Sequence, residues 1–586
     1  MGALLTLLLT ALPWAAATND PSWSGWGGGA DNARYAPGNK AISSSSIRTL
    51  TERCATVHQF GVTATPVIVG DIAYYPTWDA TFEAYNYKLC RSVWTANITT
   101  ITEQYALKYP TPSVSFQRNV SRTSPQISIK QNILYLATQR HALVVALNLS
   151  TGSPLGAIKL TPHPWAVITQ SPTLYNDILY VGASSYEHVS TIVGQPRAPP
   201  VPIGTPPEGY KCCSFAGNFA ALKFNPHNKK FQVLWNITTI PEHRRKAGWS
   251  GAGVWGSQPS IDKKRGLVFF GTGNAYSVPQ ETVDCQRRNG FREYTINDPD
   301  PCLPSDVWQD SIVAVGLVSG RVKWVYQPPG VDAHNSACGY EGYPAAGGWP
   351  WPRDSAKCPQ VAGLGRDFGM SPTFVEGVKL KIKGGKKVKE DVLVVGRKSG
   401  VIYALTAEKG DLIWKTATGP GGIQFGGVVW GIAVDGERVY YTNINSDYRN
   451  WTLLGSASGN NPGVVTNRSV YGALDLEDGR SVWQIKVPKE GGVSFAPPTV
   501  VGDLVLVGRS GEDPEGVGNV FGLTEGALLA LNKKTGKVLV DYGLNSTLHS
   551  GVAVSGKYLF FGVGYQSFGV IPRLPQGGLR VFTVGR

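Results

Sequence analysis

The chain is nearly free of methionine, with 2 in 586 residues. It is also poor in charge: Asp, Glu, Lys and Arg make up 16%, against roughly 25% in an average globular protein. Those shortages exclude the charged, helix-forming composition of coiled coils and helical bundles. Beyond the first turns of sequence no run reaches the ~18 apolar residues of a membrane helix, so no helical membrane span is expected. There is no C-x-x-C and no C-x-x-C-H, which excludes zinc ribbons and c-type haem attachment. The densest basic run, Lys379–Lys389, has no aromatic residue between its lysines. Nucleic acid is therefore not an expected partner.

What is present is 70 Gly, 40 Pro, 17 Trp and 25 Tyr, with 42% hydrophobic residues. Glycine, aromatics and β-branched residues at this level point to β-sheet with many tight turns and a large core. One domain per ~150 residues would give about four domains, but β-architectures run longer as single units. The net charge is +14, from 55 Lys and Arg against 41 Asp and Glu, and reads as a solvated basic surface. Val378, Leu380 and Ile382 alternate with Lys379, Lys381 and Lys383 before Gly384-Gly385. That pattern is a β-hairpin with a charged outer face.

Residues 1–17 are apolar, with Ala15 and Ala17 in a small-x-small arrangement before polar Thr18-Asn19-Asp20. This predicts a cleaved signal peptide over 1–17, too short to span a bilayer. Acceptor sequons at Asn97, Asn119, Asn148, Asn236, Asn450, Asn467 and Asn545 fit a glycoprotein of the eukaryotic secretory route, secreted to the outside. Eight cysteines, an even number, should pair in an oxidising compartment. They allow 105 connectivities; proximity in sequence selects Cys54–Cys90, Cys285–Cys302, Cys338–Cys358 and the adjacent Cys212–Cys213.

A short apolar strand recurs after a small residue and proline, as in TPVIVGDIAYY from Thr65, SPTLYNDILYVGA from Ser171 and APPTVVGDLVLVG from Ala496. A second strand pair follows, of the form A-L-x-x-x-x-G-x-x-x-W, ending at Trp235, Trp324, Trp414 and Trp483. Seven such units are complete. The eighth lacks its last strand, and Ile47–Phe60 is placed to supply it. The expected fold is all-β: one eight-bladed β-propeller over 18–586, closed by an N-terminal strand that leaves no free sheet edge. The recurring Trp residues read as structural wedges between blades. Loop insertions are expected near 195–211, 277–308 and 327–365, long enough to be structureless lids or binding loops. Within the last of them, Gly347–Pro352 reads GGWPWP.

On this repeat sit SGWGGGADNARYAP (Ser24–Pro37), CCSF, GVWGSQPSIDKKRGLVFFGTGN, RDFGMSP, GRKSGVIYALT and FGGVVWGIAVDG. With these motifs in this order, the chain resembles the quinoprotein alcohol dehydrogenases, most of all their polyvinyl-alcohol-dehydrogenase-like branch, from about Trp23 to Arg586. The resemblance implies pyrroloquinoline quinone (PQQ) and Ca²⁺ in a central funnel, with a small or polymeric alcohol as substrate and an external electron acceptor. The oligomeric state is not set by it.

Carried over residue by residue, the resemblance implies Glu187 and Asn274 as calcium ligands, hard oxygen donors from separate blades. Asp367 is implied as general base and further metal ligand, and Lys398 as the cation beside the quinone oxygens. The Cys212–Cys213 ring is implied on one face of the quinone and Trp255 on the other. Thr169 and Ser184 are implied at the rim, with Trp430 as a further cofactor contact and His549 a lesser candidate. One position departs from the pattern: Ala216 stands in CCSFAGN where the branch has an Arg that pairs with a PQQ carboxylate. The alternative reading is a non-redox propeller that binds or transforms a small molecule without PQQ.

Overall fold

The repeat resolves into eight antiparallel sheets that form the blades of a propeller. The computed structural model describes residues 22–108, 119–192, 210, 212–295, 297–339, 353–361, 363–381, 387–423, 425–454, 463–513, 524–565 and 577–585. The expected leader over 1–17, the proline-rich stretch 195–209 and 347–352 lie outside them.

Blade one runs Val67–Val69, Ile72–Pro76, Thr81–Asn86 and Arg91–Asn97. Blade three is built on Thr173–Tyr175, Ile178–Ser185, Asn218–Asn225 and Lys230–Thr238, and blade four on Ser260–Asp262, Leu267–Gly271, Ile312–Gly316 and Val322–Tyr326. Blade five runs Thr373–Lys381, Lys387–Gly396, Val401–Thr406 and Leu412–Ala417. The second strands, such as Leu267–Gly271, are buried along their whole length, while outermost strands such as Lys230–Thr238 are largely exposed. This matches continuous apolar runs inside and mixed sequences outside.

The recurring tryptophans explain how blades lock. Trp94, Trp235, Trp324, Trp414 and Trp483 each donate from Nε1 to a carbonyl of the following blade, of Leu149, Leu317, Ala407, Leu476 and Lys533, at 2.9–3.2 Å. Each ring lies over a turn glycine of that blade. A Cβ on Gly152, Gly320, Gly410, Gly479 or Gly536 would come within 2.4–2.6 Å of the indole, so the position admits no side chain. The wedge role expected for these residues holds, and Trp94 joins the set.

Closure is made by Thr51–Ala55, inside the expected Ile47–Phe60 stretch. It pairs antiparallel with Gly578–Thr583, the third strand of blade eight. Cys54 on this strand is bonded to Cys90 in blade one, so a disulfide crosses the seam. The other three expected pairs are also present.

Two features differ from expectation. The insertion over 277–308 is not structureless: it carries the helix Gln280–Arg288, pinned by Cys285–Cys302. The segment from Trp23 to Ala36 also threads across the inner strands. Backbone carbonyls of Trp23, Ala30, Asp31, Ala33 and Arg34 accept from Ile68, Ile261, Phe374, Val434 and Val500, in blades one, four, five, six and seven. Among the described residues no helix is long and apolar enough to cross a membrane.

Candidate functional site

Glu187, Asn274 and Lys398 each follow the second strand of a blade, in blades three, four and five. Asp367 precedes the first strand of blade five, and Trp430 precedes Ala433–Val434, the first strand of blade six. Antiparallel alternation therefore puts all five at the same end of the propeller.

Four of the predicted residues form one bonded set. Asp367 Oδ2 accepts from Trp255 Nε1 at 3.0 Å and stands 3.2 Å from Lys398 Nζ. Asp367 Oδ1 accepts from the Asn274 amide at 3.0 Å. The Asn274 carboxamide nitrogen donates to the carbonyls of Ala275 and His334 at 2.5 and 2.8 Å. That commitment leaves the carboxamide oxygen as the end of the side chain able to act as an acceptor or ligand. Lys398 Nζ also lies 5.2 Å from the Trp255 ring centroid, a cation–π contact. Trp255 meets Trp430 edge-on, with centroids 5.4 Å apart. Gly369 permits this packing: a Cβ there would sit 2.7 Å from Trp255 Cη2.

Behind this set lies a buried ion network that sequence reasoning missed. Arg397 donates from Nη2 to Asp310 Oδ2 and from Nε to the Arg366 carbonyl, both at 2.6 Å. Asp332 accepts from the backbone amides of Gly365 and Arg366 at 2.9 and 2.6 Å. Burial pushes the Asp310 carboxyl well up, helped by the Asp332 charge. Burial works the same way on Asp332, but hydrogen bonds from Asp310 and the Arg366 amide, with the Arg397 charge, outweigh it and bring its pKa down. Of the two, Asp310 is the acid pushed toward its neutral form. The two residues lie in inter-strand connections with no motif of their own; Arg397, beside Lys398 in GRKSG, was the one available signal.

Glu187 sits in a second set. It is fully buried. Its Oε1 accepts from the Tyr210 hydroxyl and from the Ser214 amide, the latter at 2.7 Å; His163 Nε2 stands 3.6 Å away. Its Oε2 accepts from the Phe215 amide at 2.8 Å. Glu187 thus anchors the loop that carries the Cys212–Cys213 disulfide, and Cys212 Sγ lies 3.7 Å from the Glu187 carbonyl. Among the described residues no hydrogen bond joins the Glu187 carboxylate to Asn274 or Asp367.

Tyr276, two residues beyond Asn274, links the halves. Its hydroxyl donates to the Ser185 carbonyl at 3.2 Å. Burial pushes its pKa far up, and both the Asp367 and Glu187 charges add to the rise. His188 is half-buried with its ring 5.1 Å from that of Tyr276; desolvation, then the Lys398 charge, pushes its pKa down to about 4. Ser184 is buried beneath Gly253, in the loop that leads to Trp255. Thr169 is half-buried in the turn after Ala166–Val167. His549 packs between Phe495 and Tyr565. Ala216 is half-buried and forms an isolated parallel bridge with Gly251.

A family model described as outer membrane protein assembly factor BamB (PQQ_2) matches residues 366–577, less than half of the chain. Among curated proteins, a polyvinylalcohol dehydrogenase from a Pseudomonas species is 25% identical over 480 residues, covering 80% of this chain and 60% of that protein. A second, from Sphingopyxis sp. strain 113P3, is 24% identical, covering 88% of this chain and 77% of that protein. The chain thus spans 60% of the length of the first relative. Among solved structures, quinohemoprotein alcohol dehydrogenase from Comamonas testosteroni aligns with a TM-score of 0.61 at 15% identity, over 97% of this chain and 81% of that one. A europium-containing methanol dehydrogenase aligns with a TM-score of 0.60 at 15% identity, over 96% and 98%. These structures share the fold. The resemblance to the polyvinyl-alcohol-dehydrogenase-like branch seen in the motifs is found again in the two curated relatives.

Proposed function

Taking the chain as a relative of the polyvinylalcohol dehydrogenases on a quinoprotein-type propeller, we propose that it is an oxidoreductase that oxidises an alcohol with PQQ and Ca²⁺. One observation carries this reading: Asp367 Oδ2 has Lys398 Nζ at 3.2 Å and Trp255 Nε1 at 3.0 Å. A carboxylate, a cation and an indole face meet in one contact set.

The residues fit the implied group. Asn274, with its carboxamide nitrogen committed to two carbonyls, would offer its oxygen to a hard cation, and Glu187 Oε2, which accepts from the Phe215 amide, would offer its remaining lone pair to the same ion. Trp255 and the Cys212–Cys213 ring would supply the flat contacts, with Thr169, Ser184 and Trp430 at the rim. When bound, the quinone supplies an acceptor for the hydride of the alcohol carbon. Asp367 would take the hydroxyl proton, since a carboxylate in reach of that proton is the general base such chemistry needs. Lys398 would stabilise negative charge that develops beside it. The substrate is a small or polymeric alcohol, and electrons leave to an external acceptor.

Export belongs to the same proposal. The four disulfides suit an oxidising compartment. Of the sequon residues, Asn97, Asn236, Asn450, Asn467 and Asn545 are exposed, Asn148 is half-buried and Asn119 is buried. Glycans are proposed at the exposed five.

A second reading has a specific observation behind it. Ala216 replaces a carboxylate-pairing Arg, and Glu187 Oε1 is saturated by protein donors. Both favour a funnel that works on a small molecule without PQQ. The deciding experiment is reconstitution with PQQ and Ca²⁺, read by absorption and by reduction of an artificial acceptor with a panel of alcohols. Absence of both quinone binding and dye reduction would leave the second reading standing.

A further inference from the structure

The strand that delivers Lys398 to the site carries a different chemistry at its far end. Lys387–Gly396 pairs antiparallel with Thr373–Lys381, and the register sets Lys379 opposite Lys389 and Lys381 opposite Lys387. Val378 and Leu380, on the other face, are buried in the core between blades. All four lysines are exposed. Like charges placed directly opposite across strands destabilise a hairpin. Among the described residues, Glu477 is the carboxylate within ion-pair range of these four, and it serves Lys381 and Lys387 at 3.8 and 3.1 Å. Lys379 and Lys389 have no ion-pair partner among the described residues. The four described lysines thus form a two-by-two grid of cations, about 5 Å apart across strands and about 7 Å apart along each.

We propose that this face is a docking strip for a linear sulfated polysaccharide. The two lysine pairs follow one another along the strand direction, and a chain that repeats its anions matches them. Lysine ammonium groups are point charges that take sulfate without bidentate geometry. No aromatic residue interleaves with the lysines in sequence, so this run supplies no platform on which bases would stack. It also has no apolar anchor, because alternation leaves only lysine outward between Lys379 and Lys381. Protein interfaces are centred on aromatic or Arg anchors and depleted in Lys. A flexible polyanion needs neither. Its place matters as well. Lys387 opens the strand that ends at Gly396, two residues before Lys398, so strip and site are separated by about 30 Å of extended chain. The protein would be held by one end with the other left open to substrate. This inference is independent of the PQQ reading.

The test uses the full chain and heparin as probe. Wild type should elute from immobilised heparin at higher NaCl than from a sulfopropyl resin. The variant K379Q/K381Q/K387Q/K389Q should lose that difference and bind heparin about tenfold more weakly or worse. Its melting temperature should be unchanged or higher, since the like-charge pairs are gone. Should the fourfold variant not fold, K379Q/K389Q, which leaves the Glu477 pairs intact, should bind about threefold more weakly. Wild-type heparin affinity in the folded variants overturns the proposal. So does equal or tighter binding of a single-stranded oligonucleotide, or of phosphatidylcholine vesicles containing phosphatidylserine.

Discussion

Arg397 and Lys398 are neighbours in sequence and reach different aspartates. Arg397 Nη2 donates to Asp310 Oδ2 at 2.6 Å, and Lys398 Nζ stands 3.2 Å from Asp367 Oδ2. One short turn after the second strand of blade five therefore charges the site from the front and braces it from behind.

The front predicts a loss of chemistry without a loss of shape. Asp367→Asn retains an oxygen for the Asn274 amide and removes the base. Turnover should fall by about 10²–10⁴-fold if base catalysis is its main role, with PQQ still bound in an absorption titration. Loss of quinone binding together with turnover would show that Asp367 serves only to hold the site.

The back predicts an asymmetry between two buried acids. Asn copies a protonated carboxyl, so Asp310→Asn should cost less than about 1.5 kcal/mol. Asp332→Asn removes the carboxylate that accepts two backbone amides and faces the Arg397 charge, and should cost about 3 kcal/mol or more. The pH signs are opposite. Asp332 has a depressed folded pKa, so it binds fewer protons folded than unfolded; its stabilisation is full above the ordinary carboxylate range and is lost as pH falls through the folded value. Asp310 has a raised folded pKa, so its contribution is full below that range and is lost as pH rises through the folded value. Denaturant unfolding across pH should therefore show a flatter alkaline limb for Asp310→Asn. An unchanged limb would place the proton elsewhere.

Arg34 is buried and satisfied without a carboxylate partner among the described residues. Its guanidinium donates to the carbonyls of Trp26, Pro498 and Val552 and to the hydroxyls of Thr65 and Thr499. These belong to the N-terminal segment and to blades one, seven and eight. A lysine ammonium has three donors and no fork. Arg34→Lys should therefore destabilise nearly as much as Arg34→Met, by about 3 kcal/mol in chemical unfolding. A lysine variant as stable as wild type would mean the segment is not a hub.

The seam predicts a local weakness. Cys54→Ser with Cys90→Ser should cost about 2–4 kcal/mol, and hydrogen exchange should speed up first in 51–55 and 578–583. Deleting 577–586 removes the middle partner of Thr51–Ala55 and Tyr558–Val563. It should unfold the whole propeller, because it opens two long edges. A truncated chain that melts like the full one would refute closure as the source of cooperativity.

Blade by blade, the fold was legible because its information is local. The continuous apolar run that opens Ile178–Ser185, the turn glycines and the terminal tryptophans lie within one repeat, and a short buried strand bounded by tight turns needs no distant partner to be read. Cys285–Cys302 and Cys338–Cys358 were legible for the same reason. The missing last strand of the eighth unit pointed to Ile47–Phe60 by arithmetic alone. Other features depend on distances between residues far apart in the chain, which no spacing encodes. Asn32 carboxamide donates to the Ser371 carbonyl across 339 residues, and Arg34 reaches Val552 across 518. Motif matching placed Glu187 beside Asn274 as a joint ligand pair. In the folded chain its carboxylate is bonded to Tyr210, Ser214 and Phe215, because the loop that holds the cysteine pair buries backbone amides that need an acceptor. Asp310 and Asp332 carry no motif, and the motif that holds Arg397 names neither as its partner. Only their shared burial, where a lone charge would be too costly, decides that they meet.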